Sequence, residues 1–257
     1  MNVSKGLLGL IVLFALIALW EVTTRTGIVS PNAIPAASDV AYSGMMELLD
    51  GDLGKDALVT VRRVMLGFAW ACVVAIPLGI ALGRSKILLA ALGPLFEFLR
   101  PMPVVAVLPI LIFFLGLGDR MSLTMIGIGS GWYILFNTID GIRGVDPVLG
   151  ETGRTFQVSR LRQLWTIYLP AAAPQIFTGL RLALGIAVII AVLVEMASGF
   201  GGGLGSYIAT NGGSFRLAEA YAGICMVALI GYVVARLFLL VEQRIMRWHI
   251  QAGTRLQ

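Results

Sequence analysis

Charged side chains are scarce in this sequence. Asp, Glu, Lys and Arg together make up only 13% of its 257 residues, whereas a soluble domain carries about 25%. Hydrophobic residues make up 58%, the mean hydropathy is +0.90, and apolar runs of about 20 residues recur. The low charge therefore excludes an ordinary soluble domain and indicates a polytopic α-helical membrane protein.

Residues that build metal sites and catalytic centres are also few. His249 is the only histidine, and Cys72 and Cys225 lie in separate apolar runs without C-x-x-C spacing. A metal site needs several such ligands, so we expect no metal site and no catalytic residues. The glycine-rich run 199–205 lacks the Gly-x-x-x-x-Gly-Lys-Ser/Thr pattern of a phosphate-binding loop. We interpret it as a flexible external turn, so no cofactor is expected to bind this chain.

The net charge of +5 is assigned to cytoplasmic loops rather than to nucleic-acid binding. With the N-terminus inside, residues 197–215 lie outside, and the external side carries 6 of the 19 basic residues: Arg25, Lys55, Arg62, Arg63, Arg120 and Arg216. The inner side carries 10: Lys5, Arg84, Lys86, Arg143, Arg154, Arg160, Arg162, Arg244, Arg247 and Arg255. This bias predicts that both termini and residues 144–175 lie in the cytoplasm.

Six apolar segments are long enough to be spans, and the first is interpreted as uncleaved because no small-residue cleavage site follows it. An amphipathic helix is expected at 39–49, after the first span. The predicted spans are 7–20, 64–82, 88–115, 121–139, 176–196 and 219–240.

The third predicted span contains Pro101, Pro103 and Pro109, which predict a broken helix lined by protein or a water-filled path. Glu97 and Arg100 lie three residues apart on it and are expected to face each other. Two interpretations stay open for this pair, because intramembrane charges either pair structurally or line a pathway.

A polar, arginine-bearing segment at 146–174 separates two long apolar runs. Asp146 and Pro147 predict the start of a short helix, and Ser159 can cap a second one that Pro170 and Pro174 would end. One face of the second helix is apolar, which indicates a partner. That face comprises Leu161, Leu164, Trp165 and Tyr168, with Arg160, Arg162 and Gln163 off it.

This segment resembles the cytoplasmic coupling loop of ABC importer membrane subunits. The family pattern is E-A-A, three residues, G, nine residues, I-x-L-P. Here Glu151-Thr152-Gly153 stands for E-A-A, Ile167-Tyr168-Leu169-Pro170 for I-x-L-P, and Gln157 replaces the glycine. That glycine normally turns the chain with φ > 0. The strings A-L-V-T-V-R-R and R-P-M-P further resemble the nitrate/sulfonate/taurine branch of these permeases.

The resemblance implies an all-α type I ABC importer (MetI-like) permease fold with about six transmembrane helices in the bacterial cytoplasmic (inner) membrane. The partners implied are a second copy of the chain, two cytoplasmic ATPase subunits that bind ATP-Mg, an extracytoplasmic solute-binding protein and membrane lipid. The implied solute is a small organic or inorganic anion such as a sulfonate, taurine or nitrate. The expected parts are residues 1–54 (first span and external linker), 55–240 (permease core with the coupling loop 144–175) and 241–257 (basic cytoplasmic tail).

The resemblance also implies two sets of functional residues. The ATPase-coupling set is Glu151, Thr152, Gly153, Phe156, Gln157, Ser159, Arg160, Leu161, Leu164, Trp165, Ile167, Leu169 and Pro170. The translocation-pathway set is Glu97, Arg100, Pro101, Met102, Pro103 and Glu195.

Two other classes of protein compete with this interpretation. An ion-coupled secondary transporter would show paired broken helices in its two halves and membrane carboxylates, and only one broken helix is apparent. A scaffold subunit of a membrane complex would need neither the coupling segment nor the R-P-M-P string.

Overall fold

The structure is a computed structural model that describes residues 3–30, 33–199 and 201–246, and every regular element in these ranges is helical. His249 and the part of the predicted basic tail after Met246 lie outside them. The α-helices, in chain order, are α1 (Val3–Arg25), α2 (Ala37–Leu49), α3 (Leu53–Arg84), α4 (Lys86–Leu99), α5 (Leu108–Leu115), α6 (Asp119–Arg143), α7 (Pro147–Thr155), α8 (Arg160–Gln163), α9 (Leu169–Ser198), α10 (Leu204–Gly213) and α11 (Leu217–Ile245).

Each predicted span coincides with one of these helices or with a pair of them. By length and apolar composition, α3, the continuous stretch Arg160–Ser198 and α11 can each cross a membrane on their own. A fourth candidate is the pair Lys86–Leu99 and Val104–Leu115, whose axes meet at 91°. The predicted break in the third span is therefore confirmed. It falls at Pro101 and Pro103, because proline lacks a backbone donor and cannot continue a helix without adjustment.

Two compact units are present, and both draw on separate parts of the chain. The first consists of Met1–Thr60 and Glu195–Leu229, and the second of Val61–Val194 and Ile230–Gln257. In the first unit, the expected amphipathic helix is confirmed as α2, whose Val40 is buried. Trp20 of α1 donates from Nε1 to the carbonyl of Pro35, 3.1 Å away, which ties α1 to the start of this helix.

The predicted turn is present in the first unit at the described residues 199 and 201–203, whereas its flexibility stays a prediction. Gly202 and Gly203 adopt φ values of +70° and +106°, and the chain then enters α10, where Leu204 and Tyr207 are buried. The glycines are needed for close approach as well as for turning. A methyl group added at Gly203 would lie 2.4 Å from the carboxyl carbon of Glu195.

Polar side chains hold α10 at its first turn. The Thr60 hydroxyl accepts from the Leu204 N–H at 2.8 Å and donates to Glu195 Oε2, also at 2.8 Å. Glu195 Oε2 also accepts from the Gly205 N–H at 3.0 Å, and Asp56 Oδ1 accepts from the Gly203 N–H at 2.7 Å. The N–H groups that a helix N-terminus leaves unpaired are thus satisfied by Asp56 and Thr60, which are distant in sequence, and by Glu195 of the preceding helix.

The core of the second unit is formed where α6 packs against α3 and α9. Ile134 of α6 and Ala183 of α9 are completely buried in it. Glycines allow the close approach that is typical of membrane helices. A methyl group at Gly79 would lie 2.7 Å from Thr138 Cβ, and one at Gly129 would lie 2.0 Å from Ile190 Cδ1.

Candidate coupling segment and central cavity

The polar segment of the second unit begins with the predicted helix cap. Asp146 Oδ1 accepts from the Val148 N–H at 2.9 Å, and Pro147 is the first residue of α7. A side chain at this position satisfies one of the free N–H groups of the first turn. The predicted start of the first short helix is therefore confirmed.

Gln157 makes the turn for which the family pattern uses glycine. Its φ is +55°, in the left-handed region where a non-glycine residue is strained. The Gln157 N–H donates to the Arg154 carbonyl and the Val158 N–H to the Gly153 carbonyl, both at 2.9 Å. These two bonds form a Schellman motif, which ends a helix with one left-handed residue. The glutamine therefore retains the turn geometry.

Gln163 stabilises this turn from the second short helix. Its Nε2 donates to the Val158 carbonyl at 2.7 Å, and the residue is only 4% exposed. The amide lies off the apolar face, as predicted, but it is buried. Glutamine is seldom buried without a backbone partner, and here that partner is the turn itself.

The second short helix continues into α9 instead of ending at the prolines. Ser159 caps α8, with its Oγ accepting from the Arg162 N–H at 3.4 Å. The next residues, Leu164–Tyr168, form a π-helical turn in which the Leu169 N–H donates to the Leu164 carbonyl. The prediction that Pro170 and Pro174 end the helix was wrong, because such a wider turn re-satisfies the backbone groups that a proline frees in a membrane helix.

Small residues on α7 let it pack against this π-helical turn. A methyl group at Gly153 would lie 2.9 Å from Ile167 Cδ1, and one at Gly150 would lie 2.5 Å from the Tyr168 hydroxyl oxygen. Gly150 and Gly153 are buried, and Ile167 and Tyr168 are half-buried. The two short helices are thus joined by packing as well as by the turn.

The opposite side of the segment presents large apolar side chains to the exterior, and we call it the coupling face. Phe156 is 76% exposed, Leu161 68% and Trp165 66%. Leu164 and Tyr168, which the sequence places on the same stripe, are half-buried because the π-helical turn alters the helical period. Glu151, Thr152 and Arg160 are exposed. Leu169 and Pro170 are half-buried at the start of α9.

A second feature of this unit is a central cavity of about 410 Å³ beside the broken helix. The Arg100 guanidinium lies over the Phe136 ring, 4.8 Å from its centroid, and Glu97 is exposed. No ion pair among the described residues joins Glu97 to Arg100, so the structural pairing is not formed. The cavity is lined by Arg100, Met102, Pro103, Val104, Gly129, Trp132, Tyr133, Phe136, Asn137, Ile186 and Ile190.

The polar residues that α6 adds to this cavity, Tyr133 and Asn137, were not predicted from the sequence. Asn137 Oδ1 accepts from Gln175 Nε2 at 2.9 Å, and Asn137 Nδ2 donates to the Tyr133 carbonyl at 2.8 Å. The sequence did contain a signal for Asn137, because a polar side chain within an apolar span usually faces a cavity. Around Arg100 the cavity therefore offers an amide, a phenol and aromatic rings.

Within the second unit, only some of the predicted pathway residues line the cavity. Arg100, Met102 and Pro103 line the cavity, whereas Glu97 and Pro101 do not. Glu195 belongs to the first unit, is 1% exposed and makes the bonds to Thr60 and Gly205 described above. Its observed environment is that of a structural carboxylate that holds the glycine-rich segment.

A polytopic helical fold with an exposed apolar face on a polar segment and a cavity beside a broken helix is typical of the membrane subunit of a transporter. A sequence model of the family described as binding-protein-dependent transport system inner membrane component matches residues 75–247. The chain belongs to this family. It is thus a transmembrane permease of an ABC importer and not an enzyme, and ATP is hydrolysed by a separate ATPase subunit.

Individual relatives agree with this assignment. The chain is 30% identical to the putative aliphatic sulfonates transport permease protein SsuC of Bacillus subtilis (strain 168), over 93% of this chain and 87% of the relative. It is 34% identical to the nitrate import permease protein NrtB of Synechocystis sp. (strain ATCC 27184 / PCC 6803 / Kazusa), over 75% and 70%.

A solved structure confirms the predicted fold. The inward-facing MetNI methionine ABC transporter aligns with a TM-score of 0.65 at 18% identity, covering 78% of this chain and 97% of the matched one. The MetI-like permease fold is thereby shown.

Proposed function

We propose that this chain forms the membrane path for a small anion, released by an extracytoplasmic binding protein and driven by two cytoplasmic ATPase subunits. The path would form with a second copy of the chain in the bacterial cytoplasmic membrane. The proposal that the solute is an anion depends on Arg100. Arg100 lines the central cavity, and none of the other described lining residues is a carboxylate. Two relatives whose names specify sulfonates and nitrate support the same class.

Arginine is suited to this role for a chemical reason. Its guanidinium stays charged, presents five donors in a planar fork and matches the oxygens of an oxyanion. Stacking over Phe136 holds the group by one face and leaves its edge donors free to bind a ligand. The Asn137 amide and Tyr133 line the same cavity.

The coupling face is the proposed contact with the ATPase subunits. Exposed apolar side chains rimmed by polar ones mark protein interaction sites, and here Phe156, Leu161 and Trp165 are flanked by the exposed Glu151 and Arg160. The Schellman turn and the packing of Gly153 against Ile167 fix the two short helices to each other and to α9. A movement of the bound ATPase subunit would thus be transmitted through the coupling face to α9.

The test of the anion is uptake into liposomes that contain the complete transporter and its binding protein. Ethanesulfonate, taurine and nitrate are offered beside a neutral sugar and a cationic amine. Arg100→Gln should lower anion uptake by about 10- to 150-fold, the effect of losing a hydrogen bond to a charged group. Arg100→Lys should retain part of it.

Arg120→Gln is the control, because Arg120 is an exposed arginine outside the cavity lining. Equal uptake by wild type and Arg100→Gln would refute the role of Arg100. Uptake of the sugar or the amine, with none of the anions transported, would refute the solute class.

A further inference from the structure

Basic side chains cluster in the second unit where the coupling segment joins the membrane helices. Two cavities of about 670 and 730 Å³ meet there and share Arg84, Ser85, Arg154 and Tyr168. Neither cavity has a carboxylate among its described lining residues. The cluster, which we call the basic site, comprises Arg84, Lys86, Arg143, Arg154 and Arg160.

Helix ends explain part of this arrangement. Arg84 is the last residue of α3, Arg143 the last of α6, and Arg154 lies in the last turn of α7. A cation at a helix C-terminus is favoured by the helix dipole. The dipole does not account for Lys86, which begins α4 and therefore lies at the end where cations are disfavoured. The concentration of five cations needs another reason.

Arg84 is held in place at the centre of the basic site. Its guanidinium lies 4.7 Å from the centroid of the Tyr168 ring, and its Nη1 donates to the Arg160 carbonyl at 3.3 Å. A stacked guanidinium with one donor engaged retains further donors along its edge. Arg84 thus links the turn between α3 and α4 to the coupling segment and still presents charge to the cavities.

The smaller cavity combines this charge with an apolar wall. Leu82, Leu89 and Ile142 line it beside Lys86 and Arg143. Immediately after Lys86, Ile87 is 82% exposed. Since α3 and α4 belong to membrane spans, their shared turn lies at the level of the lipid headgroups. A ligand with a phosphate at one end and hydrocarbon at the other matches both parts of the cavity.

We propose that the basic site binds the phosphodiester headgroup of an anionic phospholipid, which braces the coupling segment against the α3–α4 turn. Basic pockets between transmembrane helices on the cytoplasmic side are typical sites for anionic headgroups. Free phosphate shares the charge but leaves the apolar wall empty. An acidic surface of the ATPase would reach the exposed coupling segment more readily than the membrane-level residues Lys86, Leu89 and Ala90. The inference depends on the membrane placement of these helices and not on the transported solute.

The test uses the complete transporter in nanodiscs that contain phosphatidylglycerol and phosphatidylethanolamine, with retained lipid measured by native mass spectrometry. Wild type should retain phosphatidylglycerol preferentially. Each basic side chain near an anionic headgroup contributes about fivefold in binding, so the double variant Lys86→Gln/Arg143→Gln should retain it about 25-fold more weakly. Arg162→Gln is the matched control, because Arg162 is exposed and lines neither cavity.

The charge-preserving variant Lys86→Arg/Arg143→Lys should bind like wild type, which separates loss of charge from loss of folding. Wild-type lipid retention by the double glutamine variant would overturn the proposal. Displacement by inorganic phosphate without preference between the two lipids would identify free phosphate as the ligand and overturn the lipid assignment. Loss of the ATPase subunits from the double variant with unchanged lipid retention would identify a protein contact and likewise overturn it.

Discussion

Trp165 provides the sharpest test of the coupling face. A tryptophan side chain buries about 150–250 Å² when fully covered, and 66% of Trp165 is exposed in the free chain. A docked ATPase subunit would thus remove up to about 100–165 Å² of it from water. At about 25 cal/mol per Å² this contributes roughly 2.5–4 kcal/mol, so Trp165→Ala should weaken ATPase binding by about 60- to 700-fold.

The assay is the affinity of the purified permease for its ATPase subunits, together with a thermal unfolding curve for the permease alone. Unfolding should change little, because an exposed side chain loses few contacts when it is truncated. Leu237→Ala is the control, since Leu237 is 57% exposed but lies on the membrane helix α11. Unchanged ATPase affinity in Trp165→Ala would refute the docking of this face.

Two further predictions concern the same segment and the topology. Glu151→Ala should cost roughly 2–5 kcal/mol of ATPase binding energy, the cost of removing one partner of an ion pair that docking desolvates; the Glu151 carboxylate is exposed in the free chain. Asp146→Ala should cost only about 1 kcal/mol of helix stability. Equal effects of the two variants on copurification of the ATPase would contradict the contact at Glu151. Single cysteines at Arg160 and Ser214, both exposed, in a Cys72→Ser/Cys225→Ser background should react with an impermeant maleimide from opposite sides of the membrane. Labelling of both from one side would contradict the charge-based topology.

Local signals in the sequence predicted most of the coupling segment. The Asp146 cap and the Ser159 cap each depend on residues within one turn, and such interactions are legible from residue type and spacing. The positive φ at Gln157 was not predicted, because a glutamine does not by itself favour the left-handed region. The prediction that proline ends the second short helix was wrong because the effect of proline is not set by residue type alone. Its effect at Pro170 depends on whether the preceding turn is α- or π-helical, and residue type alone does not decide between them.

Interactions between distant residues were not predictable in the same way. The sequence predicts a flexible glycine-rich segment because glycine permits many conformations. Its first helical turn has a hydrogen-bond partner, Thr60, that is 144 residues away in the chain from Leu204, and Glu195 connects to both Thr60 and Gly205. Arg100 and Glu97 have the right spacing for an ion pair, but the Arg100 guanidinium stacks on the Phe136 ring instead. Stacking of Arg84 on Tyr168 likewise joins residues 84 positions apart.

The energy source of transport tests the central claim most directly. Liposomes that contain this chain and its ATPase subunits are loaded with ATP-Mg, and the binding protein and an anionic solute are added outside. They are compared with liposomes that hold no ATP but carry a proton or sodium gradient. We expect uptake only with internal ATP-Mg and the external binding protein, because the chain is a permease whose ATP is hydrolysed by a partner subunit. Uptake driven by the ion gradient without ATP would contradict the account and would instead indicate an ion-coupled transporter.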